Sequence, residues 1–269
     1  MMLQVSNLTV SFKTRNGLSP SIKGISFSVE QGEIVGIVGE SGSGKSVTAK
    51  TILGLISRSR AEVGGEILFE GQDLLTMPRE QLRGLQGDEI SMIFQEPMTS
   101  LNPVMTIGKQ VEESLLIHSD MDAQARRQRA LESMRDADLD DPESLYPKYP
   151  HELSGGMRQR VMIAAALVRD PMLLIADEPT TALDVTVQAD IIRLLRKVNE
   201  TKKTAILFIS HDLGVVRKLC SRVVVMKRGV IVEEGPVEEV FLHPKEEYTK
   251  LLIASRPTRT KRKRGDSHE

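Results

Sequence analysis

The sequence has one cysteine, no long apolar run and almost no net charge. The single Cys220 excludes an internal disulfide and a cysteine-rich metal site, and its apolar neighbours predict a small buried side chain in a reducing cytoplasm. No apolar run approaches the ~20 residues that span a bilayer, and the first residues lack the basic and apolar regions of a signal peptide. A formal net charge of -1 gives the molecule no general attraction to nucleic acid or anionic membrane. We therefore expect any work at a membrane to be done through a partner.

Basic residues are nevertheless concentrated at the end of the chain. They are Arg256, Arg259, Lys261, Arg262, Lys263 and Arg264. We predict that residues 256–269 form a solvated, disordered tail. Contact of this tail with anionic lipid headgroups is the alternative interpretation.

The hydrophobic pattern changes along the chain and predicts an α/β protein. Residues 3–38 alternate between polar and apolar side chains, which is typical of short half-exposed strands. Residues 110–139 show helical spacing, and helix and strand alternate from residue 153 onward. Such alternation predicts helices covering a mainly parallel sheet. The helical part between them is interpreted as a subdomain inserted into the core.

A glycine-rich loop at residues 39–46 is the most informative motif. Its letters, GESGSGKS, fit the G-x-x-x-x-G-K-[ST] pattern, and it lies between a β-branched apolar segment and a predicted helix. Glycines let backbone N–H groups point at phosphate oxygens, and the helix N-terminus adds its dipole. Lys45 is expected to reach the β- and γ-phosphates, and the Ser46 hydroxyl to bind Mg²⁺. The loop therefore predicts a nucleoside triphosphate as ligand.

Polar side chains at the ends of other predicted strands complete a candidate site. Asp177 and Glu178 follow a buried strand, where Asp177 would hold Mg²⁺ or its water and Glu178 would orient the attacking water. His211 ends the next strand and could hydrogen-bond the γ-phosphate. Gln95 ends an earlier strand and could bind Mg²⁺ or orient water.

A second candidate anion site lies at residues 153–160, with the letters LSGGMRQR. Ser154 is a good N-cap, and Gly155 and Gly156 expose backbone N–H groups at a helix start. Physical reasoning alone does not say whose phosphate would bind there, and an ordinary helix cap remains the alternative.

The motifs, in their order along the chain, resemble those of the ATP-binding cassette ATPases. The matching elements are the phosphate loop, the Q-loop at Gln95, the signature at 153–160, Asp177-Glu178, the D-loop at 182–184 and the switch His211. The resemblance covers residues 1–255, with a helical signature subdomain inserted at about 96–165. It implies a P-loop NTPase core of mainly parallel sheet with flanking helices, plus an N-terminal antiparallel β subdomain.

The resemblance also implies a role for each matching residue. Catalytic roles fall to Glu178, His211, Lys45 and Gln95, and Mg²⁺ ligation to Ser46, Gln95 and Asp177. The expected ATP contacts are Phe12 (stacking on adenine), Gly39, Glu40, Ser41, Gly42, Ser43, Gly44, Lys45, Ser46, Val47, Ser154, Gly155, Gly156 and Asp184. In this family two ATPase domains pair head to tail, so that Ser154–Gly156 would close the site of the other domain. The cofactors implied are ATP and Mg²⁺.

Three segments look like those of ATPase subunits of bacterial and archaeal oligopeptide, dipeptide and nickel importers. They are the phosphate loop, residues 94–103 and the end, His243-Pro244 followed by residues 248–252. Many peptide-importer members carry a longer C-terminal extension, which this chain lacks, so nickel or a metal chelate is nearly as well supported as a peptide. The implied partners are two membrane permeases, a sister ATPase in a heterodimer and, indirectly, an extracytoplasmic binding protein. The expected location is the cytoplasmic face of the cell membrane.

Three other functions fit the sequence less well. A soluble cassette ATPase acting on DNA or ribosomes would carry long coiled coils or tandem cassettes, and the modest insert argues against both. A P-loop kinase would not need residues 153–160 or His211. Exporters often fuse the cassette to membrane helices, which the sequence does not contain.

Overall fold

The computed structural model describes residues 1–95, 100–181 and 183–255. Its strands are β1 (Leu3–Thr14), β2 (Gly17–Val29), β3 (Ile34–Val38), β4 (Ala61–Phe69), β5 (Gln72–Asp73), β6 (Ile90–Ile93), β7 (Leu173–Asp177), β8 (Ala205–Ile209), β9 (Arg222–Lys227) and β10 (Val230–Pro236). Its helices are α1 (Lys45–Ile52), α2 (Arg79–Leu85), α3 (Ile107–His118), α4 (Ala123–Asp136), α5 (Pro142–Leu145), α6 (Gly155–Leu167), α7 (Val185–Lys202), α8 (Leu213–Leu219), α9 (Val237–Leu242) and α10 (Glu247–Ala254). The predicted basic tail lies outside the described residues.

A six-stranded sheet forms the centre of the fold, in the order β10-β9-β3-β8-β7-β6. The pairs from β9 to β6 are parallel, and only β10 pairs antiparallel, through the short turn that follows β9. Strand β3 is buried along its whole length, because helices and a second sheet cover its two faces. The predicted mainly parallel core is confirmed.

A second sheet of four strands, in the order β2-β1-β4-β5, is entirely antiparallel. The sequence predicts several short strands in its first part, whereas β1 is continuous over 12 residues and β2 over 13. The register shifts across Asn7, which has a φ of 46°, in the pairing of β1 with both β2 and β4, as at a β-bulge. Local polar residues therefore make bulges in one long hairpin rather than ends of separate strands.

The two faces of the central sheet pack into two different cores. Along β8, Ile206 and Phe208 face the core shared with the helices, while Leu207 and Ile209 face the core shared with the antiparallel sheet. This alternation is the two-residue period of a strand, applied to a sheet that is buried on both sides. Cys220 is buried beside Gly36 of β3, as the sequence predicts.

The helices α3 to α6 are inserted in the chain between β6 and β7, and α3, α4 and α6 pack against one another. The predicted helical region of residues 110–139 is broken between His118 and Ala123. Asp122 caps α4 there, because its carboxylate accepts a hydrogen bond from the N–H of Ala125 at 2.8 Å. None of the helices in the described ranges is long and apolar enough to cross a membrane.

Candidate functional site: a phosphate loop beside four parallel strands

The loop between β3 and α1 has a backbone that its glycines make possible. Gly39, Gly42 and Gly44 have φ values of 150°, 77° and 108°. A Cβ on Gly39 would lie 2.1 Å from the carbonyl oxygen of Met226, so the start of the loop is fitted against the end of β9. No other residue can occupy this position without moving the loop or the strand.

Most backbone N–H groups of this loop make no hydrogen bond within the described ranges of the chain. Those of Ser41, Gly42, Gly44, Lys45, Ser46 and Val47 have no acceptor among the residues that the structure describes. The last three begin α1, where the first N–H groups of a helix have no intrahelical acceptor. Such N–H groups at a helix N-terminus are a ready site for phosphate oxygens.

Lys45 is buried at the floor of the loop, with 5% of its surface exposed. Its Nζ donates to the carbonyl oxygens of Gly39 at 2.8 Å and Glu40 at 3.0 Å. Burial lowers the pKa of the Lys45 ammonium below its usual value, and the carboxylates of Glu178 and Asp177 partly oppose this effect. The ammonium is therefore held within the loop, with few competing interactions from water.

Ser46 and Asp177 are brought together although 131 positions separate them in the chain. The Ser46 hydroxyl donates to Asp177 Oδ1 at 2.9 Å, and Asp177 is 2% exposed at the end of β7. Burial raises the pKa of the Asp177 carboxyl, while the hydrogen bond from Ser46 opposes that shift. A hydroxyl and a carboxylate oxygen side by side are oxygen ligands of the kind that Mg²⁺ prefers.

Glu178 is the centre of a hydrogen-bonded group that contains two other predicted residues. Its Oε2 lies 3.2 Å from Nε2 of Gln95, 3.1 Å from Nδ1 of His211 and 2.9 Å from the Thr181 hydroxyl. The structure therefore brings together the ends of β6, β7 and β8, as neighbouring parallel strands require.

The Glu178 backbone adopts a left-handed conformation, with φ at 49°, while its N–H donates to Ile209 O at 2.9 Å. This conformation costs on the order of 1 kcal/mol for a residue with a side chain. A strained conformation of this kind is common in functional sites, where the surrounding structure holds it in place.

The signature segment is placed at the start of α6 and is open to solvent. Ser154 caps α6 by accepting the N–H of Met157 at 3.3 Å, and Ser154 and Gly155 are exposed. A Cβ on Gly155 would meet nothing within 4 Å, whereas one on Gly156 would lie 3.1 Å from Cγ1 of Val187. Among the described residues, no hydrogen bond or ion pair joins residues 153–160 to the phosphate loop of the same chain.

Two other predicted contacts have different local roles in the single chain. Asp184 caps α7, because its Oδ1 accepts the N–H groups of Thr186 and Val187 at 3.0 and 2.9 Å. Phe12 is half-buried in β1, opposite Ser19 of β2. Further along β2, Ile22 lies close to the phosphate loop, since a Cβ on Gly44 would be 2.5 Å from Cδ1 of Ile22. Ala182 of the predicted D-loop and residues 96–99 of the Q-loop segment lie outside the described residues.

Sequence reasoning missed two residues that the structure places at the site. Thr181 donates to Glu178, and its position three residues after the glutamate is the signal that could have indicated this contact. The Tyr248 hydroxyl accepts the N–H of Glu40 at 3.0 Å across 208 positions of sequence, which no local pattern reveals.

The chain is similar to ATP-binding proteins of membrane transporters. Residues 22–181 match the family model described as "ABC transporter". The oligopeptide transport ATP-binding protein OppD of Bacillus subtilis is 50% identical over 96% of this chain and 72% of its own length. The dipeptide transport ATP-binding protein DppD of Lactococcus lactis is 50% identical over 96% of this chain and 74% of its own. The chain spans only 47% of a third relative, the peptidoglycan transport ATP-binding protein YejF of Agrobacterium fabrum, at 51% identity.

Solved structures give the same result for the fold. A dimeric ATP-binding cassette, MJ0796, determined in a post-hydrolysis state with ADP and phosphate, superposes with a TM-score of 0.79 at 31% identity, covering 88% of this chain and 99% of that chain. The cassette cbiO1 of Clostridium perfringens superposes with a TM-score of 0.75 at 28% identity, covering 90% and 91% of the two chains.

Proposed function

This chain belongs to the ABC transporter family and is an ATPase of that family, and we propose that it energises the import of peptides through a membrane transporter. The observation that carries the proposal is the 50% identity, over nearly the whole chain, to proteins named for oligopeptide and dipeptide transport. The relatives described above are all named for transport, which gives no support to the alternative of a soluble ATPase acting on DNA or ribosomes.

The loop between β3 and α1 supports binding of the ATP phosphates. Its unpaired N–H groups would hold phosphate oxygens, and Lys45 would exchange its two carbonyl partners for the β- and γ-phosphates. Gly39–Val47 thus form the phosphate part of the site, and Phe12 at the adjoining sheet would stack on the adenine. Ser46 and Asp177, with Gln95 nearby through Glu178, would hold Mg²⁺, which supplies positive charge to the phosphates when it is bound.

Glu178 is the group that would act on the attacking water. Its carboxylate is fixed by Gln95, Thr181 and His211, so that its orientation does not depend on solvent. A positioned carboxylate polarises water by accepting its proton, and His211 is near enough to contact the γ-phosphate from the same edge of the sheet.

A second ATPase domain would complete the site. Ser154, Gly155 and Gly156 lie at a solvent-accessible helix start, and Gly156 lies against Val187 of α7. Val185, at the start of the same helix α7, is 77% exposed. We propose that these residues close the phosphate site of a partner domain, most simply a sister ATPase in a heterodimer. ATP then joins the two domains, and hydrolysis releases them.

A cleft beside the inserted helices suits a membrane permease. A cavity of about 350 Å³ lies between the end of β6 and the helices α3 and α6, lined in part by Leu53, Phe94, Gln110 and Met162. The same helix α3 exposes Leu116 and Ile117, at 61% and 67%. Residues 96–165 would thus form the subdomain that meets two permease subunits at the cytoplasmic face of the membrane, with an extracytoplasmic binding protein acting through them and no nucleic acid involved.

The test is affinity purification of the tagged full chain from detergent-solubilised native membranes, with mass spectrometry of what accompanies it. Recovery of two multi-spanning proteins and a second ATPase supports the importer. Recovery of soluble partners alone refutes it.

Uptake by cells lacking this chain then identifies the substrate. Complementation by the parent, but not by Glu178→Gln, should restore uptake of labelled peptides. Restored uptake of nickel without peptides would instead assign the metal or its chelate, the substrate that the sequence leaves open.

A further inference from the structure

The last helix of the described chain contacts the phosphate loop directly. Tyr248, on the first turn of α10, is 7% exposed, and its hydroxyl oxygen accepts the N–H of Glu40 at 3.0 Å. This is the only hydrogen bond of the Tyr248 side chain among the described residues. Glu40 is the second residue of the loop, so the contact reaches the nucleotide site itself.

The peptide groups around Glu40 are held from both directions. Its N–H is bound by Tyr248, and its carbonyl oxygen accepts from Lys45 Nζ at 3.0 Å and from the N–H of Ser43 at 3.1 Å. The residue contacted by the tyrosine is therefore also one of the two that hold the lysine of the loop.

Tyr248 is in turn fixed by groups outside the loop. The Lys227 ammonium lies 4.6 Å from the centre of its ring, and Lys227 follows Met226, whose carbonyl packs against Gly39. The Glu233 carboxylate accepts the N–H groups of Lys245 and Glu246 at 2.8 and 3.2 Å, which anchors the start of α10. The hydroxyl thus reaches the loop from a position that β9, β10 and α10 determine together.

We propose that Tyr248 is a positioning residue of the nucleotide site, and that its hydroxyl keeps the phosphate loop in the conformation that binds ATP. The proposal rests on the proposed role of residues 39–47 in binding phosphate. With the acceptor removed, the Glu40 N–H has no partner, and the loop also populates conformations in which its unpaired N–H groups are placed differently. Apparent affinity falls in proportion to the competent fraction, so ATP affinity depends on how α10 contacts the loop.

Tyr248→Phe tests this with a single atom, because the ring and its contact with Lys227 remain. In the full chain we expect Kd for MgATP and KM to rise together by roughly 3- to 10-fold, the range that one net hydrogen bond corresponds to. The kcat should stay near the parent value, since the contact acts equally before and during reaction. Lys250→Met on the same helix is the control, because the one ion pair that the Lys250 ammonium forms among the described residues is with Glu247, away from the loop.

The outcomes separate the inference from the function on which it rests. Parent Kd and KM in Tyr248→Phe, even with a lowered Tm, would show that the tyrosine serves only packing and would overturn the inference. A fall in kcat at unchanged KM would overturn it as well. Failure of the parent chain to bind MgATP would refute the proposed nucleotide site instead.

Lys227→Met keeps the hydroxyl and removes the charge over the ring. It should weaken ATP binding less than Tyr248→Phe does. A larger effect would place the cause in the ammonium group and contradict the role of the hydroxyl.

Discussion

Replacing Glu178 by glutamine tests the central chemical assignment, because it removes a charge and a proton acceptor with little change in shape. The amide oxygen of glutamine can still accept from Gln95 and Thr181, so the strand ends should keep their arrangement. What is lost is the basic carboxylate, whose contribution as a positioned base is typically about 10²- to 10⁴-fold. We therefore expect kcat to fall by at least about 100-fold.

Binding should survive this substitution. Lys45, Ser46 and the loop N–H groups are unchanged, so MgATP should bind with at least the parent affinity and accumulate a dimer that cannot hydrolyse it. The Glu178 carboxylate also raises the pKa of Lys45 against the effect of burial. Its removal lowers that pKa further, so ATP affinity in the variant should fall at a lower alkaline pH than in the parent.

The assays are phosphate release in steady state, and calorimetry and size exclusion with MgATP. Glu200→Gln, at an exposed position on α7, is the matched control and should keep the parent kcat. A Glu178→Gln protein that hydrolyses ATP at the parent rate would refute the assigned role. A protein that loses ATP binding would show that the carboxylate serves the site structurally.

Three further substitutions or treatments probe the fold that supports the site. Gly39→Ala should abolish MgATP binding in titration, since its Cβ would lie 2.1 Å from a carbonyl oxygen, whereas Gly84→Ala, with nothing within 4 Å, should bind normally. Burial raises the pKa of the Cys220 thiol, so iodoacetamide at pH 8 should leave it unmodified until denaturant unfolds the chain; rapid labelling of the folded protein would contradict its placement. Burial raises the pKa of the Glu33 carboxyl, but hydrogen bonds from Arg222 and a backbone N–H outweigh it and hold the pKa below its usual value. The Glu33–Arg222 ion pair therefore stabilises the fold above the unfolded-state pKa of Glu33, and this stabilisation is lost as pH falls through the lower folded-state pKa. Arg222→Met should lower the free energy of unfolding by roughly 1–3 kcal/mol at pH 7 and by much less at pH 3, as measured in denaturant titrations. An equal loss at both pH values would refute the reasoning.

The features predicted well from the sequence are those whose causes are local. The apolar run that became β3, the glycines of the loop and the acidic pair after β7 each have a pattern within a few residues, and strand order then brings their ends together. The prediction of short N-terminal strands was wrong in detail, because bulges around Asn7 resemble strand ends in sequence. The Tyr248–Glu40 contact joins residues 208 positions apart and follows from packing alone.

The described structure divides the site into parts that are ready for ATP and parts that ATP must displace. Six N–H groups of the loop, those of Ser41, Gly42 and residues 44–47, have no acceptor in the described parts of the chain, so phosphate oxygens can bind them without breaking any contact. Lys45 and Ser46 are different, because each already has partners, two carbonyl oxygens in one case and Asp177 in the other. A bound triphosphate has to replace those hydrogen bonds by stronger, charge-assisted ones. Glu178 can keep its contacts when it binds water, because they all involve Oε2 and leave Oε1 without a hydrogen bond among the described residues. We infer that backbone contacts dominate the first encounter with ATP, and that a chain carrying Lys45→Met should still show weak, salt-sensitive binding of ATP while losing hydrolysis completely. Loss of all measurable binding in that variant at low salt would show instead that the ammonium group is required for the encounter itself.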